Sequence, residues 1–443
     1  MNAPDHKNSD TSTLAGSAEN EAAIPVEVAQ NNQPSQYDQK ESLLNKEHER
    51  NSEATPTSTS ETSSWLKWRN ATQQVLPIYL ATHLAFLILT YLATLFTLGN
   101  FSTNSLHLHT LLDSWFRWDS GQYTHIATIG YDQHWTYAFF PLFPLLEKGL
   151  SFLTHDPFIA GLIISNIAGL GMLIVLYRLV ERDFNAEGAY RTTLYLSVFP
   201  TAFFFAAAYN ESLFLFFTLL SFYYMRQTNW WLAGLFGFLA TLTRLAGLVL
   251  LLPFCYEYLR QRQFNLRAIR LNSLAGALIP AGLAIYSLYC YLHFHDALAF
   301  AHAQSTWHRQ LQPPWQPLLN ALTVISQTKM LSFTSIHNVL DLSACLFILI
   351  LLILCFVGPW KFSRDHLAYA IYAAVIYLLF LISAGTGILP LASFSRFMLE
   401  VFPAFIVLSA LGRKRNANLY YLTLSLTLLS FLLLQFLTGR WTV

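Results

Sequence analysis

From Trp65 to the C-terminus the sequence is a succession of apolar stretches separated by short polar breaks. In hydrocarbon every backbone N–H and C=O must be paired within its own segment, so each stretch is expected to be an α-helix. Taking a span as roughly 20 residues, about eleven such segments are present. They cover 76 to 98, 157 to 179, 190 to 209, 211 to 226, 230 to 243, 245 to 259, 271 to 292, 337 to 357, 367 to 384, 397 to 411 and 417 to 437. The expected fold is therefore an all-α, polytopic membrane bundle over residues 65 to 443. Within it, 230 to 259 reads either as two short spans or as one bent helix or re-entrant pair. Composition agrees, with 54% hydrophobic and 12% charged residues, where soluble domains carry about 25% charged.

The first 64 residues are different in kind. They are rich in Ser, Thr, Asn, Gln, Glu and Pro and poor in large apolar side chains, a composition that cannot bury enough surface to fold. They are expected to be a disordered cytoplasmic tail, too long and too polar for the start of a cleaved signal peptide, so that the first span is retained as an anchor. The net charge of +1 carries no footprint for nucleic acid. Cys255, Cys290, Cys345 and Cys355 fall inside apolar stretches without CxxC spacing and read as small core hydrophobes.

Cytoplasmic loops of membrane proteins carry an excess of Lys and Arg. An N-inside topology satisfies this, placing Lys67, Arg69, Arg178, Arg182, Arg226, Arg260 and Arg413 inside. It leaves only Arg117, Lys148, Arg244, Arg309, Lys329, Arg396 and Arg440 on the outer face. The long connections 99 to 156 and 293 to 336 then lie outside, and the functional site is expected at that outer face of the cell membrane.

Within the first outer connection, Arg117-Trp118-Asp119-Ser120-Gly121-Gln122-Tyr123 sets a carboxylate between aromatics. An acidic group beside hydrocarbon is costly unless it is paired or faces a wet cavity, which makes it a functional candidate. Asp119 is the expected general base, able to take the proton of an acceptor hydroxyl. Trp118 and Tyr123 offer flat faces for a sugar ring. The alternative is an interfacial aromatic belt with Asp119 as a solvated helix cap.

Arg244 and Arg396 end or begin apolar segments on the outer side, where guanidinium forks can hold a phosphate at the headgroup plane; snorkelling would explain either one alone. Arg309 is a third candidate, with Trp307 beside it. Glu211 is expected either to pair with one of these arginines or to touch substrate, and Asp132 is a secondary carboxylate. The fourteen histidines do not form the i, i+4 pair with a carboxylate that a zinc helix shows, so no metal or other cofactor is expected.

These residues also carry a resemblance. Trp118-Asp119, the run Phe139-Phe140-Pro141-Leu142-Phe143-Pro144, Tyr209-Asn210-Glu211-Ser212-Leu213-Phe214, Leu239-Ala240-Thr241-Leu242-Thr243-Arg244, and Ser395-Arg396-Phe397-Met398-Leu399 with Phe402-Pro403 resemble the PIG-V-type mannosyltransferases. The likeness is nearest to their prokaryotic relatives and runs in matching order from residue 110 to about 412. It implies a GT-C fold and transfer of a sugar, typically mannose, from a polyprenyl-phosphate donor to a lipid or glycan acceptor on the outer or lumenal face. It also implies that Trp118-Asp119 is the family's functional acidic motif, and an inverting single displacement follows. A lipid-linked sugar flippase would share the fold class but should show internal repeats and midplane charges, and no repeats are evident. A non-catalytic membrane subunit would tolerate loss of the Asp119 carboxylate.

Overall fold

Helices account for the regular structure of the described residues, the one β-type pairing among them being an isolated antiparallel bridge between Arg309 and Gly385. The computed structural model describes residues 58–97, 108–329 and 332–440. Of the expected polar tail only its last residues are described, as the start of the first helix; the rest of the tail, and the early part of the first outer connection, lie outside the described residues. Residues 63–443 form one contact unit.

The main helices are α1 (Ser58–Thr97), α2 (Asp119–Thr128), α3 (Leu142–Thr154), α4 (Pro157–Asp183), α5 (Ala186–Ser197), α6 (Glu211–Arg226) and α7 (Trp230–Thr243). They are followed by α8 (Leu251–Arg260), α9 (Leu278–Phe294), α10 (Gln316–Gln327), α11 (Phe333–Phe356), α12 (Leu367–Ile382), α13 (Phe402–Leu411) and α14 (Arg415–Leu437). Their starts follow from local chemistry. Asp156 caps α4 by accepting from the Phe158 and Ile159 amides, with Pro157 in the first turn. Asn229 caps α7 through Leu232 N, and Ser332 caps α11 through Ser335 N.

Among the described residues six helices are long and apolar enough to cross a membrane, and Phe394–Glu400 with Phe402–Leu411 makes a seventh if this pair, bent by 82°, is one span. The chain is thus a multi-pass membrane protein. The other four expected spans are shorter: α5 has 12 residues, α6 16, α7 14 and α8 10. The reason is packing. Most of α6 is buried against other helices, and backbone wrapped in protein need not run the full hydrocarbon thickness in one helix.

Residues 230 to 259 form a helical hairpin. Arg244 breaks the helix with extended dihedrals (φ −154°, ψ 145°), and the next turn folds back so closely that a Cβ on Gly247 would collide with the Thr241 backbone. Trp230, at the start of α7, packs edge-on against Phe254 and Tyr258 of α8 at 5.3 and 4.8 Å. Arg244 therefore sits at the hairpin tip.

Charged residues gather at both ends of α6. Its last residue, Arg226, pairs with Asp183 (2.8 Å) and Glu257 (3.1 Å), while Arg260 joins Glu257 (2.7 Å) to Asp365 (2.6 Å). This network ties together the ends of α4, α6 and α8 and the approach to α12. Its first residue, Glu211, anchors the other network, about 22 Å away along the helix at 1.5 Å per residue.

Glu147 stands outside both networks. Part of α3, it is fully buried against α4, where a Cβ on Gly161 would strike its carboxyl, and neither of its oxygens finds a hydrogen-bond partner. Burial, with some help from Asp156, pushes its pKa up to about 9 from an ordinary 4.5. The unfolded chain loses this proton first as pH rises, so between those two values the native state is progressively disfavoured. Glu147→Gln removes that titration. Its thermal stability in detergent should exceed the parent's by a margin that widens from pH 5 to pH 8.5, reaching a few kcal/mol at most; a pH-independent difference would contradict it.

Candidate active site

Asp119 opens α2 behind a strained residue. Trp118 has φ 41°, in the positive region that side chains avoid. The surroundings hold it there. Its ring packs on Phe436 at 5.3 Å, Arg117 Nη2 donates to the Leu437 carbonyl (3.0 Å), and the Tyr209 hydroxyl donates to the Arg117 carbonyl (3.0 Å). The effect is to aim the Asp119 carboxylate at the bundle, at the positive end of a helix.

Arg396 meets it there. Its Nη1 lies 2.7 Å from Asp119 Oδ2, while its Nε and Nη2 hold Glu211 Oε1 at 2.7 and 2.5 Å. The guanidinium also lies over the rings of Tyr209 (4.5 Å) and Phe204 (4.9 Å). The segment that carries it is clamped from behind. Asp341 of α11 accepts from Ser395 N (3.0 Å) and Ser395 Oγ (2.7 Å), and Thr201 Oγ1 donates to the Ser395 carbonyl (2.9 Å).

Arg244 reaches the same carboxylate from the hairpin tip. Its Nη1 lies 2.8 Å from Glu211 Oε1 and 2.6 Å from Glu400 Oε1, with Asn210 Oδ1 at 3.3 Å. Asn210 in turn donates to the Thr243 carbonyl at 3.1 Å. The Nε and Nη2 of Arg244 make no hydrogen bond among the described residues.

Arg309 completes the group from the second outer connection. Backbone pairing fixes its loop: Thr386 N donates to the His308 carbonyl and Gln312 N to the Ile382 carbonyl, both at 2.9 Å, beside the bridge to Gly385. The guanidinium carbons of Arg309, Arg244 and Arg396 stand 4.8, 5.1 and 5.9 Å from the centroid of one ring, Phe397. Among the described residues Arg309 has no carboxylate partner. Burial, with Arg244 and Arg396 as like-charged neighbours, lowers its pKa to about 10, Asp119 opposing the shift. It remains a cation at neutral pH, short of an anion.

Exposure separates the roles. The side chains of Glu211 and Glu400 are 0% exposed and that of Asp119 is 22% exposed. Glu211 Oε1 takes both arginines while its Oε2 is buried without a hydrogen-bond partner, so Asp119 is the carboxylate of the network with an edge open to a proton donor.

The other residues expected from sequence are distributed differently. Tyr123 is buried, edge-on against Phe139 (5.1 Å) and Phe143 (4.8 Å), and burial raises its hydroxyl pKa well above the usual value. Its ring packs the core beneath Asp119. Asp132 lies on the outer surface, 2.7 Å from His125 Nε2, which holds its carboxyl below the ordinary range. Trp307 is exposed and meets Phe139 edge-on at 6.0 Å, joining the two outer connections. No group of three His, Cys, Asp or Glu side chains arranged to hold a metal ion occurs among the described residues.

Sequence reading missed Glu400, Asn210 and Asp341. Glu400 follows Arg396 by four residues, a spacing that puts both on one face of a helical segment. Asp341 is an acid inside an apolar run, itself a signal.

A family model described as Mannosyltransferase (PIG-V) matches residues 90–315, half of the chain. Among solved structures, the chain is similar to ArnT from Cupriavidus metallidurans bound to undecaprenyl phosphate, with 16% identity and a TM-score of 0.46 over 68% of this chain and 58% of that one. It is also similar to the apo oligosaccharyltransferase of Archaeoglobus fulgidus, with 12% identity and a TM-score of 0.39 over 81% and 56%. The chain thus spans less than two thirds of the length of either. No curated protein sequence matches it.

Proposed function

Because the chain belongs to the mannosyltransferase (PIG-V) family, we propose that it is an integral membrane glycosyltransferase of GT-C type. It moves a sugar, mannose by family, from a polyprenyl-phosphate donor to a lipid or glycan acceptor at the outer face of the cell membrane. The observation that carries this reading is the meeting of a partly exposed carboxylate with a cation that has no carboxylate partner among the described residues. Asp119 is oriented by Arg396 and keeps an accessible edge, and Arg309 lacks a counter-ion in the same group. The uneven distribution of Lys and Arg supports the outer face.

The reaction is a single displacement. The acceptor hydroxyl oxygen attacks the anomeric carbon while its proton passes to Asp119, and the bond from that carbon to the phosphate oxygen breaks with its electron pair leaving on the phosphate. The departing polyprenyl phosphate gains negative charge. Arg309 and the free edge of Arg244 are the groups able to stabilise it. Arg396 and Glu211 hold the base and the arginines in register.

Purified protein in lipid nanodiscs, given a total membrane lipid extract as acceptor, should transfer label from polyprenyl phosphate mannose and not from GDP-mannose. Transfer from the nucleotide sugar alone would overturn the donor assignment.

A further inference from the structure

A cavity opens where α11 begins and α14 ends. It has a volume of about 510 Å³ and is lined by Phe333, Thr334, His337, Leu389 and Arg440, within the range of small-ligand sites. We propose that it seats the headgroup of an anionic membrane phospholipid.

Three observations support this. The first is charge. Arg440 is exposed, has no ion pair among the described residues and touches Phe333 at 5.8 Å from the ring centroid. His337 is buried in the wall, and among the described residues no acid lines the cavity. Asp341, one turn further along α11, is committed to Ser395. A basic pocket between membrane helices is the chemistry that holds lipid phosphate.

The second is depth. The cavity sits where α11 begins and α14 ends. Helices of 24 and 23 residues are about 35 Å long, slightly more than a hydrocarbon core of about 30 Å, so their ends reach the headgroup plane. The third is the apolar flank. Phe333 and Ile388 are 55% and 69% exposed, offering a surface for acyl chains beside the charged end.

Arg244, Arg309 and Arg396 are not among the cavity's lining residues. Asn338 Nδ2 donates to the Ile388 carbonyl at 2.9 Å, and Asp341, one turn beyond His337 on α11, is tied to Ser395, the neighbour of Arg396. Reading the bound lipid as the acceptor, or as its neighbour at the point of entry, rests on the transferase assignment; the lipid site itself does not.

The test is photocrosslinking in nanodiscs, which requires no turnover and so stands or falls apart from the transfer assay. Photoactivatable phosphatidylglycerol should label peptides containing residues 332–340 and 386–391. Labelling should fall at least tenfold in Arg440→Glu, recover in Arg440→Lys and fall again in Leu389→Trp, which fills the cavity without changing charge. Arg309→Ala should leave it unchanged. Equal labelling of the parent and Arg440→Glu, or preferential labelling of the same peptides by photoactivatable polyprenyl phosphate, would overturn the proposal; the latter would assign the cavity to the donor.

Discussion

Asp119→Asn is expected to lower turnover by about 10²- to 10⁴-fold, the usual range for loss of a general base, with donor affinity and thermal stability nearly unchanged. The two side chains are isosteric, and an amide oxygen can still accept from Arg396 Nη1, which sits 2.7 Å from Asp119 Oδ2. What disappears is basicity. The split between turnover and donor KM identifies the role: a residue that only supported the fold would reduce melting temperature and yield, and a donor ligand would raise KM. Full activity of the variant would remove the base assignment.

The three arginines should divide into two classes. Arg309→Ala should raise the donor KM roughly 10- to 100-fold, the range expected for losing one charge-assisted hydrogen bond worth about 1.5–3 kcal/mol, and Arg309→Lys should recover part of it. Stability should hold or improve, because burial and two like-charged neighbours act against this cation. Arg244→Ala and Arg396→Ala should instead cost about 3–5 kcal/mol of stability, the penalty for removing one partner from a buried ion pair. Glu211 is 0% exposed and shared between them. Melting curves beside donor titrations separate the classes; equal destabilisation by all three would give Arg309 a structural role.

Much of this site could be read from the chain because charge at the edge of an apolar run is expensive and therefore informative. Asp119, Glu211, Arg244 and Arg396 each stand at such an edge, and the structure joins them through direct ion pairs. Partnership was the part that sequence could not fix. Arg244 and Arg396 read as phosphate ligands, with Glu211 expected either to pair with one of them or to touch substrate; in the structure both are engaged by carboxylates, one of which, Glu400, lies inside a broken span. Asp341 accepts from a backbone amide 54 positions away, a contact that no local pattern encodes.

Helix lengths failed for a related reason. Apolar residues buried against protein and apolar residues facing lipid look alike in a hydropathy profile, so α5 and α6 read as spans, and 230 to 259 read either as two short spans or as one bent helix or re-entrant pair. The aromatic at 123 shows the same ambiguity on a smaller scale. A tyrosine near a carboxylate can be a sugar platform or a packing element, and this one is buried in contact with Phe139 and Phe143.

The position of the donor phosphorus in a donor-bound structure of Asp119→Asn tests the central claim most directly. The account predicts phosphate oxygens within about 3 Å of the Arg309 guanidinium, with the anomeric carbon on the side of residue 119. Donor density at the far network of Arg226, Glu257 and Arg260, or a phosphate near Arg309 with residue 119 turned away from the sugar, would contradict it.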